Sequence, residues 1–62
     1  MKMKYFTLSQ YGRERISMMW SSQAAALRHA ESLWADRNLN TQPRPVDRIE
    51  VVNYLGNIKT FS

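Results

Sequence analysis

The hydrophobic pattern of this chain changes period twice, and that change restricts the fold more than any other feature. Phe6 and Leu8, then Ile16, Met18 and Trp20, alternate with Tyr5, Thr7, Arg15, Ser17 and Met19. A period of two predicts two half-buried strands. From Gln23 to Arg37 the chain is rich in alanine and straight-chain helix formers. There, Ala26, Leu27, Ala30, Leu33 and Trp34 fall on one helical stripe, with Arg28, Glu31, Ser32, Ala35 and Asp36 on the other side. The period then returns to two. Ile49 and Val51 alternate with Arg48 and Glu50, and a last strand is expected from Ile58 to Phe61. The order strand, strand, helix, strand, strand predicts an α+β fold, a four-stranded antiparallel sheet (ββαββ) with one helix packed on one face.

Local signals set the expected boundaries. Ser21-Ser22 precedes the helix and offers a hydroxyl to its free amides. Asn38 is expected to close the helix in a left-handed conformation, with Leu39 folding back on the last turn and Pro43-Arg44-Pro45 forcing an extended exit. Gly12 marks the first hairpin turn. A three-residue loop, Tyr11-Gly12-Arg13, would set Leu8 opposite Ile16 and Phe6 opposite Met18, all on one face; a two-residue loop would set Leu8 opposite Ser17. The three-residue loop is the register expected here. Leu55-Gly56-Asn57-Ile58 carries the glycine-first pattern of a second tight turn. The expected core is then Leu27, Leu33 and Trp34 against Phe6, Leu8, Ile16, Met18, Ile49 and Val51.

A chain of 62 residues makes one domain, 1–62, whose core is barely large enough for independent folding. Disulfides and thiolate-bound metals are excluded because there is no cysteine, and His29 is the single histidine. No cofactor and no metal is therefore expected. Stability gained from a partner or from a homodimer remains open. No apolar run approaches the roughly 20 residues that cross a bilayer. The start Met1-Lys2-Met3-Lys4 leads into no signal-like stretch. A cytoplasmic protein without membrane contact is expected. Nine Lys and Arg against five Asp and Glu give a net charge of +4, which favours an anionic partner.

The residues do not assemble a familiar catalytic set. His29 and Asp36 are seven apart on the helix, but His29 follows Arg28 and borders the wet face, where a solvated role is expected. Glu31 and Asp36 diverge at a spacing of five, and Gly12 and Gly56 stand alone without a phosphate-cradling loop. A non-enzyme is expected. The sheet face turned away from the helix is more informative. Alternation would place Tyr5, Arg15, Met19, Arg48 and Glu50 there, with Lys2, Lys4, Val52, Tyr54, Lys59 and Phe61 nearby. Such a face can stack bases and neutralise phosphates, or form a protein-binding patch around Tyr5, Met19 and Tyr54. It is also what any one-sided sheet exposes. Trp20 and Trp34 fall on packed stripes and are expected in the core.

Ile16-Ser17-Met18-Met19-Trp20-Ser21-Ser22-Gln23-Ala24 runs from a strand straight into a helix opening, and Arg48-Ile49-Glu50-Val51-Val52-Asn53 forms a second segment. Together they resemble small phage and mobile-element proteins with a sheet-and-one-helix fold, including anti-CRISPR inhibitors of type I surveillance complexes. The resemblance implies a stoichiometric inhibitor that sits on a host-defence nucleoprotein complex and blocks nucleic-acid access. Tyr5, Arg13, Arg15, Arg48, Tyr54 and Lys59 are the candidate partner-binding residues. A small basic nucleic-acid-binding regulator and a self-associating structural protein are the alternatives.

Overall fold

The structure is a computed structural model that describes residues 3–39 and 45–62, the side chains of Asn38 and Leu39 excepted. The element order is β1 (Tyr5–Tyr11), β2 (Glu14–Trp20), α1 (Gln23–Leu39), β3 (Arg48–Asn53) and β4 (Gly56–Phe61). All four strands form one antiparallel sheet in the order β2-β1-β3-β4. The expected ββαββ architecture is present, with β1 and β3 central and β2 and β4 at the edges. The behaviour expected of Lys2, of the Leu39 side chain and of the Pro43-Arg44 exit lies outside the described residues.

The helix starts where the serines place it. Ser22 Oγ accepts the Ala25 N–H at 3.1 Å, satisfying one of the amides that no helical carbonyl can reach. At the other end α1 runs through Asn38 to Leu39, so Asn38 lies inside the helix rather than at its close. Arg37 Nε donates to the Val46 carbonyl at 2.9 Å and the Arg37 guanidinium lies 4.5 Å from the centre of the Trp34 ring. These contacts tie the end of the helix to the segment that enters β3.

The first hairpin departs from the expected register. Tyr11 pairs with Glu14, so the loop is the two residues Gly12-Arg13, and Leu8 stands opposite Ser17 while Ser9 stands opposite Ile16. Gly12 has φ 61°, the left-handed value that the first position of a primed hairpin turn requires. Polar contacts hold this turn from three sides. Gln10 Nε2 donates to the Gly12 carbonyl at 2.7 Å. The Gly12 N–H donates to Asp47 Oδ2 at 2.6 Å, and the Asp47 N–H donates to the Gln10 carbonyl at 2.8 Å. Asp47, immediately before β3, thus clamps the β1–β2 turn to the neighbouring strand.

A slip of one residue exchanges the two faces of a strand. In β1 the residues beneath the helix are consequently Tyr5, Thr7, Ser9 and Tyr11, with Thr7 and Ser9 buried, while Phe6 and Leu8 lie on the opposite face. The fully buried apolar residues are Ala26, Ala30, Val46, Ile49 and Val51, with Leu27, Leu33, Trp34, Trp20, Ile58 and Phe61 packed partly buried around them. The expected helix stripe and the expected inward positions of β3 are therefore correct. Phe6 and Leu8 are not part of that core. Ile16 and Met18 do lie on the helix side, opposite Ser9 and Thr7, yet they remain 50% and 42% exposed.

The reason is steric. A helix that approaches a sheet closely does so over small side chains, and here Ala26 and Ala30, one turn apart on α1, are fully buried, as are Thr7 and Ser9 on the central strand. Phe6 and Leu8 at those central positions would hold the helix off the sheet. Bulk is supplied from the flanks instead: Thr7 sits between Met18 and Val51, and Ser9 between Ile16 and Ile49. Alternation of large and small residues across neighbouring positions is how a compact layer interdigitates.

The second hairpin turns earlier than expected. Asn53 pairs with Gly56, leaving Tyr54-Leu55 at the tip, and β4 begins at Gly56 rather than Ile58. Asn53 Oδ1 accepts the Leu55 N–H at 2.9 Å. Asparagine in the first position and glycine in the fourth is the residue pattern of a type I turn. The register then shifts between Val51 and Val52, where a bulge brings Ile58 toward the core.

Two measurements follow. Ala30→Leu is expected to lower stability by about 1–3 kcal/mol through overpacking, whereas Ala35→Leu on the exposed side should change it by no more than about 0.5 kcal/mol; urea midpoints compare them. Asp47→Ala, which removes the clamp on the turn, is expected to cost about 1 kcal/mol, and Gly12→Ala a similar amount from backbone strain at its positive φ. Wild-type midpoints for both would show that the turn holds its register without them.

Candidate interaction surface

Among the described residues no element covers the face of the sheet opposite α1, and strand pairing defines what it carries. Phe6 stands between Met19 and Val52, and Leu8 between Ser17 and Glu50. Beyond them, Gln10 stands between Arg15 and Arg48, and Glu50 opposite Thr60. The face therefore divides lengthwise. One end is apolar, with Phe6, Leu8 and Val52 half-buried by their neighbours and Met19 60% exposed. The other end is a polar network.

That network occupies its own charges. Arg15 Nε donates to Gln10 Oε1 at 3.0 Å. Arg48 lies 3.7 Å from Glu50, and Asn57 Nδ2 donates to Thr60 Oγ1 at 3.1 Å and more weakly to Glu50 Oε2 at 3.4 Å. An exposed ion pair of this kind contributes little to stability. Its effect is to leave two arginines against one glutamate on the face, a mild positive potential around an apolar centre.

The six candidate residues do not share this face. Arg15 and Arg48 do, on either side of Gln10. Tyr5 lies beneath the helix as part of the core periphery, because the two-residue turn reverses β1. Lys59 pairs with Val51 and so lies on the helix side, its ammonium 4.9 Å from the centre of the Phe61 ring, which in turn lies 6.2 Å from Trp34. Arg13 is in the first turn, and Tyr54 at the tip of the second is 75% exposed. The expected outward placement of Tyr5, Lys59 and Phe61 is corrected by these pairings. Phe6, Leu8 and Val52 form the centre instead. Phe6 and Leu8 were legible only through the alternative two-residue register.

At the apolar end, Met3, Lys4, Met19, Trp20 and Ser21 line a cleft of about 400 Å³. Its wall is fixed by Trp20. The indole Nε1–H donates to Thr7 Oγ1 at 3.1 Å, and the Trp20 ring lies 4.8 Å from that of His29, tilted by 36°. His29, expected on the solvated side of the helix, is a packing partner of this indole. Asn53 Nδ2 lies 3.2 Å from Met3 Sδ, which anchors the other wall to β3. Among the described residues, no three of His, Cys, Asp and Glu gather where they could hold a metal ion, and no helix is long and apolar enough to cross a membrane.

No family model matches this chain, and neither a curated protein nor a solved structure matches it.

The Trp20–Thr7 bond offers a direct check of the geometry. Thr7→Val keeps the shape of the side chain and adds an apolar group to the core, yet it is expected to destabilise by about 1–3 kcal/mol, since it strands a part-buried indole N–H. A variant as stable as wild type in urea would place the indole elsewhere.

Proposed function

We propose that this chain is a non-catalytic binding protein that uses the uncovered face of its sheet to dock on another protein. The supporting observation is the apolar end of that face, where Phe6, Leu8, Val52 and the exposed Met19 adjoin the cleft between Met3 and Trp20. Methionine and aromatic residues at the centre of a patch, with arginine at its rim, match the composition of protein interfaces. The overall +4 charge favours an acidic partner surface. Arg15 and Arg48 on the rim, together with Arg13 at the end of the same hairpin, are the contacts through which charge would act.

The resemblance of the β2–α1 junction and of β3 to anti-CRISPR proteins names the first partner to test, a type I surveillance complex in the cytoplasm of a bacterial host. In this reading the protein occupies a surface of the nucleoprotein and keeps target DNA away. A nucleic-acid platform has less support. Base stacking on a sheet calls for several aromatic rings on one face among free cations, whereas Tyr5 lies under the helix and the arginines of the open face are engaged with Gln10 and Glu50.

The test is binding of the purified protein to a purified type I complex, followed by target-DNA binding of the mixture. Wild type is expected to associate at micromolar concentration or below and to reduce DNA binding. Met19→Asp, at an exposed position, is expected to keep its fold and lose at least about tenfold in affinity, as hot-spot truncations do. No complex at micromolar protein would remove this partner. Direct binding of oligonucleotides by the protein alone, weakening steeply with salt, would replace the reading with nucleic-acid recognition.

A further inference from the structure

The two edges of the sheet are built differently, and the difference points to a second copy of this chain. β4 is an edge of the kind that resists pairing: a bulge interrupts its register with β3 between Val51 and Val52, and it carries Lys59. Irregularity and lysine are the usual protections of a free edge. β2 has neither. Its seven residues pair without interruption against β1, its sequence Glu-Arg-Ile-Ser-Met-Met-Trp holds no lysine, proline or glycine, and its charges lie together at one end.

The side chains of this edge are also left uncovered on the helix side. Ile16 and Met18 point to the same face as the core residues Ile49 and Val51, being paired with Ser9 and Thr7, yet they are 50% and 42% exposed. A single copy does not cover that apolar strip beside the helix.

We propose that β2 pairs antiparallel with β2 of a second copy, about a two-fold axis through Ser17, to give a continuous eight-stranded sheet. The strand's own sequence selects this register. With Ser17 opposite Ser17 of the second copy, all seven residues overlap and Glu14 meets Trp20 at each end. Ile16 then lies opposite Met18, twice by symmetry. Cross-strand neighbours lie about 4.5–5.5 Å apart, so the two Ile16–Met18 pairs form one apolar cluster. The two-fold axis is normal to the sheet, so both helices lie on the same side, flanking that cluster. On the opposite side Met19 lies beside Arg15 of the second copy, and the open faces of the two copies join into one. A symmetric contact uses the same patch twice and closes, so pairing satisfies the β2 edge of each copy, and the guarded β4 edges end the sheet without propagating a fibre. For a chain of 62 residues it also supplies burial that the single core lacks.

Cysteine cross-linking reads the register directly because the native chain has no cysteine. In Ser17→Cys, two residues facing each other across antiparallel strands have Cα atoms about 4.5–5.5 Å apart, within the range a disulfide spans. Mild oxidation is expected to convert most of the protein to a covalent dimer of twice 7.3 kDa. In Ser21→Cys the same register holds the two sulfurs roughly 27 Å apart, from eight strand positions, and little dimer is expected. Sedimentation of the unmodified protein should show a concentration-dependent dimer. The double variant Ile16→Lys, Met18→Lys should sediment as a folded monomer, its circular dichroism unchanged because both positions are exposed. A wild-type monomer at all concentrations up to about 1 mM, a dimer that survives the lysine substitutions, or equal cross-linking at positions 17 and 21 would each overturn the proposal.

Discussion

The two-residue turn at Gly12-Arg13 decides which half of β1 becomes interior. The side-chain period of a strand is two, so a loop of three residues would have presented Phe6 and Leu8 to the helix and a loop of two presents Thr7 and Ser9. Gly12 supplies the positive φ that the shorter loop needs. Asp47 adds a tertiary constraint: its carboxylate accepts the Gly12 N–H while its own N–H donates to Gln10. The residue that ends the connection from the helix thus fixes the register of a hairpin completed long before it in the chain. Helix packing, the open face and the edges all inherit that choice.

With small hydroxyl residues at the middle of the sheet and Ala26 and Ala30 on the helix, the two layers close on each other over a narrow central strip. Large residues are displaced to the periphery of that strip. On the β3–β4 side they are gathered in, as Ile49, Val51, Ile58, Phe61, Leu33 and Trp34 pack together and the Arg37 guanidinium lies on Trp34. On the β2 side only Trp20 is drawn in, held by Thr7 and His29. Ile16 and Met18 stay outside. The core is therefore lopsided, and the lopsidedness leaves one edge sticky and the other guarded.

Much of this was legible in the sequence because hydrophobic period reports secondary structure directly. The strand–strand–helix–strand–strand order, the helix stripe through Ala26, Leu27, Ala30, Leu33 and Trp34, and the inward positions Ile49 and Val51 follow from it, and the serine hydroxyls before the helix mark its cap. The facing of β1 did not, since its bulky residues Phe6 and Leu8 outweigh Thr7 and Ser9 in any count of apolar positions. What overrides that count is the small size of the residues buried between helix and sheet at positions 7, 9, 26 and 30. The second turn was missed by two residues for a similar reason. Gly56 signals a turn, but the Asn53 side chain, accepting the Leu55 N–H, shows that the glycine closes the turn rather than opening it.

The misplacement of β1 carries through to function. A strand whose large residues faced the helix would have left a polar outer surface of tyrosine, arginine and glutamate, suited to nucleic acid. The observed register instead puts Phe6 and Leu8 beside Met19 and Val52 on the outside, an apolar centre with a weakly cationic rim. Uncovered apolar surface of this kind is costly for a chain that buries only about 60% of what its unfolded form exposes. Thr7 and Ser9, however, are buried beneath the helix together with Ala26 and Ala30, so exchanging the two sets of side chains would put Phe6 and Leu8 where small residues now pack. The exposed apolar face is thus a structural consequence of close packing on the other side, and it is also the surface from which binding energy is most readily obtained. One sheet carries both because β1 has two faces under different demands: small groups where the helix approaches, large groups on the face that α1 leaves open.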